Sequence, residues 1–105
     1  MTEDRAYICR LIDCYGRALS DRQRDVVDLY YNEDLSLSEI AEHCGITRQG
    51  VRDAIRHGVS SLYELEESLG FAARFARIAS YAAEISDLSG NEEITLLAEK
   101  IAGEV

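Results

Sequence analysis

The chain has 105 residues, contains no proline and carries a formal net charge of −9 at pH 7. A chain of this length can form one domain with one hydrophobic core, and the absence of proline favours an all-α fold. Because a stand-alone DNA-binding domain usually has a basic surface, the acidic charge argues against tight DNA binding without a partner. The three cysteines lack paired spacing and nearby histidine ligands, which argues against a disulfide framework and predicts no metal site.

Two helices are predicted in the first third of the chain. The first has apolar residues at i, i+3, i+4 and i+7, beginning with Ile8. The second begins at a capping box formed by Ser20 and Gln23, and its period predicts that Val26, Leu29 and Tyr30 are buried. For this part of the chain and the motif that follows, the predicted helices cover residues 4–16, 21–31, 37–44 and 47–69.

Residues 36–57 have the pattern of two helices joined by a tight turn. Ser36 and Glu39 form a capping box at the start of the first helix. Gly45 stands where a left-handed backbone would end that helix, and Thr47 follows as the cap of the next one. The pattern therefore predicts a helix-turn-helix.

The second helix of this motif separates polar from apolar side chains. On a helical wheel of about 100° per residue, five polar residues fall within an arc of about 140°. They are Arg48, Gln49, Arg52, Asp53 and Arg56. Arginine and glutamine can each make bidentate contacts with base edges in the major groove. These five residues are the predicted nucleic-acid-binding face; the alternative is an ordinary amphipathic helix with a solvated face.

The same helix continues beyond the motif, because Val59, Leu62 and Leu65 prolong its apolar stripe. Gly58 lies inside it and weakens it by up to about 1 kcal/mol relative to alanine. We interpret this glycine as the site of a bend.

The rest of the chain is predicted to be a helical hairpin broken at 89–91. Its two apolar strips consist of Phe71, Phe75, Ile78 and Ile85, and of Ile94, Leu97 and Ile101. We predict a helix-turn-helix domain over 1–70 and a helical tail over 71–105 that serves the same domain as a packing or dimerisation element. The strips can cover each other, cover the long helix or join a second copy. We expect a homodimer through this tail, which would place two recognition helices at a fixed spacing.

The run LSDRQRDVVDLYYNEDLSLSEIAEHCGITRQGVRDAIRHG resembles the YlxM family of small bacterial proteins, and the match covers about residues 19–70. The most specific pieces are Leu29-Tyr30-Tyr31 before an acidic loop, Glu39-Ile40-Ala41-Glu42, and Arg48-Gln49 followed by Val51 and Asp53. The resemblance implies a helix-turn-helix similar to the fourth region of sigma factors. It also implies a cytoplasmic protein that acts in the signal recognition particle pathway, through DNA or through the particle itself.

Three classes of function compete for this sequence. The predicted face of the second helix favours a DNA-binding regulator. The acidic surface and the surplus apolar stripes favour a protein or ribonucleoprotein interaction module. The carboxylate–imidazole pairs Glu39–His43 and Asp53–His57 lie at i, i+4 on exposed faces without a nucleophile or phosphate loop, so we expect neither an enzyme nor a cofactor. We predict weak or partner-assisted DNA binding.

The sequence also predicts where the protein acts. No apolar run approaches the length of a membrane span, and the first residues are polar and acidic. We therefore expect no signal peptide, no membrane insertion and a cytoplasmic protein with reduced cysteines.

Overall fold

The computed structural model describes residues 4–105, and this range contains helices but no strand. The α-helices are α1 Arg5–Tyr15, α2 Asp21–Tyr31, α3 Leu37–Cys44, α4 Arg48–Leu69, α5 Phe71–Leu88 and α6 Glu92–Gly103. The predicted all-α fold, a helix-turn-helix with an N-terminal helix and a helical tail, is confirmed. Thr2 and Glu3, which belong to the polar start noted above, lie outside the described residues. Within the described range, no helix is both long and apolar enough to cross a membrane.

The first helix begins and ends as its sequence requires. The Asp4 carboxylate caps it by accepting hydrogen bonds from the backbone N–H groups of Ala6, at 3.0 Å, and Tyr7, at 3.3 Å. After Tyr15 the chain tightens into a short 3₁₀ turn over Gly16–Ala18. The predicted helix over 4–16 therefore ends about one residue early.

The contacts divide the chain into a first unit that ends at Leu69 and a second unit, Gly70–Val105. In the first unit, α1, α2 and α3 pack against α4. Large apolar side chains from all four helices form its core. The most completely buried are Ile8, Leu11, Val26, Val27, Ile40, Val51, Ile55 and Leu62. The long α4 is thus the element on which this unit is assembled.

The helix α2 is rotated relative to the sequence-based prediction. Val26 is buried as expected, but Leu29 and Tyr30 are only half-buried, and Val27 and Tyr31 are buried in their place. The reason is a close contact with α4: a Cβ atom added to Gly58 would lie 2.9 Å from Cγ1 of Val27. Because α2 packs against this glycine, the face that it buries is turned towards Val27.

Gly58 therefore has a packing role. It is buried, and α4 is assigned as helix without interruption from Arg48 to Leu69. A helical glycine costs up to about 1 kcal/mol relative to alanine. Here it leaves room for Val27, which a Cβ atom would displace. The structure thus gives this glycine a role in a close crossing of α2 and α4.

In the second unit, α5 and α6 pack together as a helical hairpin. The Asn91 side chain caps α6 and accepts from the backbone N–H of Glu93 at 2.8 Å. The buried residues include two alanines, Ala82 and Ala98, which are 2% and 1% exposed. Nine large apolar residues remain partly exposed: Phe71, Tyr81, Ile85, Leu88, Ile94, Leu96, Leu97, Ile101 and Val105. The hairpin therefore covers the predicted apolar strips only in part.

Candidate nucleic-acid interface

The start of α3 is fixed by the predicted capping box. The backbone N–H of Ser36 donates to the Glu39 carboxylate at 2.9 Å, and the Ser36 hydroxyl accepts from the backbone N–H of Glu39 at 3.1 Å. The hydrogen bond from the Ser36 backbone and, second, one from the Ser36 side chain hold the pKa of the Glu39 carboxyl below its ordinary value. The carboxylate therefore stays ionised and keeps the first helix of the motif in place.

The turn between α3 and α4 uses a left-handed glycine. Gly45 has φ of 68°, and the next residue, Ile46, donates its N–H to the carbonyl of Ala41 at 3.1 Å. Thr47 then caps α4 by accepting from the backbone N–H of Gly50 at 2.9 Å. The small Ala41 is buried where α3 and α4 approach each other. These contacts set the direction in which α4 leaves the motif.

A side-chain bond joins the two helices of the motif. Arg48, the first residue of α4, donates from Nη1 to the Ser38 hydroxyl on α3 at 3.4 Å. At this distance the bond is weak and exposed, so Arg48 remains accessible to a ligand. Ser38 was not predicted from the sequence, because the period of α3 gives no sign that this position faces α4.

Three of the predicted residues form one hydrogen-bonded group. Asp53 Oδ1 accepts from Gln49 Nε2 at 3.0 Å and from Arg56 Nη2 at 2.6 Å. Asp53 is half-buried, whereas Gln49 and Arg56 are exposed. Its carboxylate therefore holds the other two side chains in position and offsets part of the positive charge of Arg56.

Arg52 differs from its neighbours on this face. It is exposed, and within residues 4–105 it has neither a hydrogen bond nor an ion pair. Its guanidinium keeps all five donors for a ligand. The structure thus places all five predicted residues on one side of α4, with Arg52 the least engaged of them.

A groove runs beside this face within the first unit, with a volume of about 470 Å³. It is lined by Tyr31, Gln49, Arg52, Ile55, Arg56, Val59, Ser60 and Tyr63. Tyr31, Ser60 and Tyr63 were not identified from the sequence. Tyr63 follows Arg56 by seven residues, a spacing that places it on the same side of α4 and could have revealed it. Tyr31 comes from α2, so only the packing of the helices brings it to the groove.

The aromatic wall of the groove is supported from α1. The guanidinium carbon of Arg5 lies 5.1 Å from the centre of the Tyr31 ring, and Arg5 donates to the carbonyl of Tyr30 at 2.7 Å. Arg5 also pairs with Asp34 at 3.1 Å, just before the helix-turn-helix motif. On the other side, the ring centres of Tyr63 and Tyr7 are 5.9 Å apart. The walls of the groove are therefore fixed by neighbouring helices.

The helix-turn-helix geometry agrees with a comparison against known families. The sequence profile of UPF0122, which describes YlxM/p13-like helix-turn-helix proteins, matches residues 2–101. The chain belongs to the UPF0122 family. This assignment confirms the predicted resemblance to the YlxM family.

Curated UPF0122 proteins from several bacteria are similar to this chain. One from Acetivibrio thermocellus is 48% identical over 75 residues, which are 71% of this chain and 64% of the relative. One from Desulforamulus reducens is 41% identical over 78 residues, 74% of this chain and 67% of the relative. A third, from Clostridium kluyveri, is 48% identical over 67 residues, 64% of this chain and 60% of the relative. The match thus spans about two thirds of the length of these relatives.

The charge on the UPF0122 motif is balanced rather than basic. Between Ser36 and Gly58, the three arginines of α4 are matched by Glu39, Glu42 and Asp53. Any attraction to a nucleic acid therefore depends on directed contacts from the arginines, with little support from a general positive field.

Metal or thiol chemistry in this UPF0122 protein would depend on its cysteines, histidines and acidic residues. Within residues 4–105, no group of three or more histidine, cysteine, aspartate or glutamate residues has the geometry to hold a metal ion. Burial raises the pKa of the Cys14 thiol, and the nearby Glu66 and Asp13 carboxylates raise it further. The Cys14 side chain is therefore protonated at neutral pH.

Proposed function

We propose that this UPF0122 protein is a cytoplasmic, non-enzymatic regulator that binds duplex DNA through the exposed face of α4. The observation that carries the proposal is the arrangement of this face: Arg48, Gln49, Arg52 and Arg56 are exposed together on a helix whose direction is set by a capped helix-turn-helix. Arginine and glutamine match the acceptor and donor patterns of guanine and adenine in the major groove. Asp53 serves as the residue that orients two of them.

We propose that this binding is weak, or is completed by a partner. The motif has a balanced charge and the chain has a net charge of −9. Binding to DNA would therefore release few counterions and gain little sequence-independent affinity. The family resemblance suggests components of the signal recognition particle as partners. A nucleic acid or a protein of that particle would then supply contacts that the α4 face lacks.

A second candidate function is an interaction module with little affinity for DNA. The exposed apolar residues of α5 and α6 favour it, because a monomer seldom leaves so many large apolar side chains in water. The same observation supports a homodimer formed through the tail. Under this alternative the α4 face serves a protein or a ribonucleoprotein instead of a DNA site.

The two functions can be separated by measuring binding to labelled random-sequence duplex DNA and to signal recognition particle RNA by fluorescence anisotropy. We expect Arg48→Ala and Arg52→Ala each to weaken DNA binding by about 1–3 kcal/mol where the arginine contacts a base bidentately. Replacing an arginine that contacts only phosphate would lower the slope of log affinity against log salt concentration by about one.

The matched control is Arg74→Ala with Arg77→Ala, which removes the same charge from the exposed surface of α5. Both pairs are measured at two salt concentrations. DNA binding that is equal in the wild type and in the Arg48→Ala/Arg52→Ala protein would refute the assignment of α4. Retained RNA binding in that case would favour the interaction module.

A further inference from the structure

We propose that the groove beside α4 receives the α6 helix of a second copy of this chain, so that two copies exchange tails in a reciprocal dimer. The inference rests on the tail-mediated dimer proposed above and deepens it by naming the surface that the tail occupies. It follows from two complementary surfaces, one in each unit of the chain.

The groove has a cationic end and an apolar end. Arg52, Arg56, Val59 and Tyr63 succeed one another along α4 at steps of four, three and four residues, so they form one line on the helix. The two arginines are exposed at one end. Tyr63 is partly exposed at the other end, above the apolar floor that Val59 and Ile55 provide. A ligand that fits this groove carries negative charge at one end and apolar groups at the other.

The exposed flank of α6 has that composition. Its first turn carries Glu92 and Glu93, and the following residues at steps of four are Leu97 and Ile101. Leu97 and Ile101 are 59% and 44% exposed, although Ala98 between them is buried. The helix therefore turns its alanine inward and presents outward two carboxylates at its start and Leu97 and Ile101 further on, with the exposed Lys100 and Glu104 beside them.

The two lines have similar lengths. At 1.5 Å per residue, Arg56 and Tyr63 are about 10 Å apart along α4, and Glu93 and Ile101 are about 12 Å apart along α6. With the two helices parallel, the glutamates meet the arginines while the apolar residues of α6 reach Val59 and Tyr63. The opposite orientation would set Glu92 and Glu93 against Tyr63 and bring only Glu104 to the two arginines, so the parallel orientation, which pairs two carboxylates with two arginines, is favoured.

A second copy is the partner that the charge distribution selects. Residues 70–105 contain six carboxylates and three cationic side chains. The groove, by contrast, has two arginines and no carboxylate among its lining residues. Each copy offers one groove and one α6, so two copies related by a twofold axis make two equivalent contacts and leave neither surface open.

This dimer would compete with nucleic acid. The proposed contact covers Arg52 and Arg56, which also belong to the proposed DNA-binding face. Exchange of tails would therefore hold the protein in a form that does not bind duplex DNA. This differs from the dimer expected from the sequence, in which two recognition helices would enter successive major grooves.

The test is a charge exchange in the full-length chain, with molar mass measured by sedimentation equilibrium. One variant reverses the groove, Arg52→Glu with Arg56→Glu, and another reverses the tail, Glu92→Arg with Glu93→Arg. We expect a wild-type dimer at micromolar concentration and dimer dissociation constants raised about tenfold or more in each variant. We expect the dimer to return when the two variants are mixed in equal amounts, and also in the chain that carries all four changes.

The controls are Arg74→Glu with Arg77→Glu, and Glu84→Arg with Asp87→Arg, which reverse charges on α5 and should leave the dimer intact. Circular dichroism checks that each variant is folded. A monomeric wild type, or a groove variant that dimerises like the wild type, would overturn the proposal. The proposal would also be overturned if the mixed variants stayed monomeric while the chain with all four changes formed the dimer. The tail would then occupy the groove of its own chain. DNA binding by the α4 face is measured separately, so it can succeed or fail independently.

Discussion

The two units of this chain use apolar residues in opposite ways. The first unit buries most of its large apolar side chains, including Leu62 and Ile55, and places the exposed polar face of α4 outside. The second unit buries Ala82 and Ala98 and leaves large residues such as Leu97 partly in water. Small residues let two helices approach closely, but their burial contributes little hydrophobic free energy. The first unit can therefore be stabilised by its own core, whereas the second gains most from a further surface.

The test with the largest expected effect compares two leucines, one in each unit. Leu62 is fully buried in α4, so Leu62→Ala should lower the free energy of unfolding by about 2–5 kcal/mol through lost burial and a new cavity. Leu97→Ala on the exposed flank of α6 should change it by about 0.5 kcal/mol or less in a monomer. Urea denaturation at low protein concentration measures both. Equal losses would show that the second unit has a core comparable to the first.

A second test concerns the close approach of α2 and α4. Gly58→Ala gains helix propensity of up to about 1 kcal/mol, but the added Cβ meets Val27 and overpacking costs about 1–3 kcal/mol. We expect a net loss of stability in thermal denaturation. Adding Val27→Ala should remove the clash, so the Gly58→Ala change should become neutral or stabilising in that background. A Gly58→Ala loss of the same size in both backgrounds would refute the steric explanation.

The smallest expected effect is the pH dependence of the α3 cap. The folded-state pKa of Glu39 lies below its unfolded value, so its contribution is present above the unfolded pKa. That contribution is lost as the pH falls through the folded pKa. We therefore expect Glu39→Gln to destabilise the protein at neutral pH, and the difference from wild type to shrink in acid. Glu42→Gln, which removes the same charge outside the capping box, is the control. A difference that stays constant in acid would contradict the assigned role of the Ser36–Glu39 bonds.

The sequence was most informative where structure depends on local chemistry. The capping box at Ser36 and the left-handed Gly45 specified the helix-turn-helix, and helical periodicity brought Arg48, Gln49, Arg52, Asp53 and Arg56 to one face. These features depend on residues within one or two turns of each other, so a pattern in the chain is sufficient to reveal them.

The sequence was less informative where one helix meets another. The face that α2 buries was wrong at Leu29 and Tyr30 because the contact with Gly58 determines its rotation. The groove was missed because Tyr31 reaches it from a different helix than Arg52 and Tyr63. The shared role of Asp53 depends on side-chain rotamers, which periodicity does not specify. Packing between elements thus accounts for the missing part of the candidate site.

The two bonds of Asp53 also bear on how a recognition surface changes during evolution. One carboxylate oxygen accepts from both Gln49 and Arg56, so the loss of Asp53 would release two side chains at once. Each would regain rotamer freedom and would have to lose it again on binding. A single substitution of Asp53 would therefore alter two contacts together. Likewise, the effect of a substitution at position 49 or 56 would depend on the residue at position 53. Specificity along this helix would diversify in linked pairs of positions rather than one position at a time.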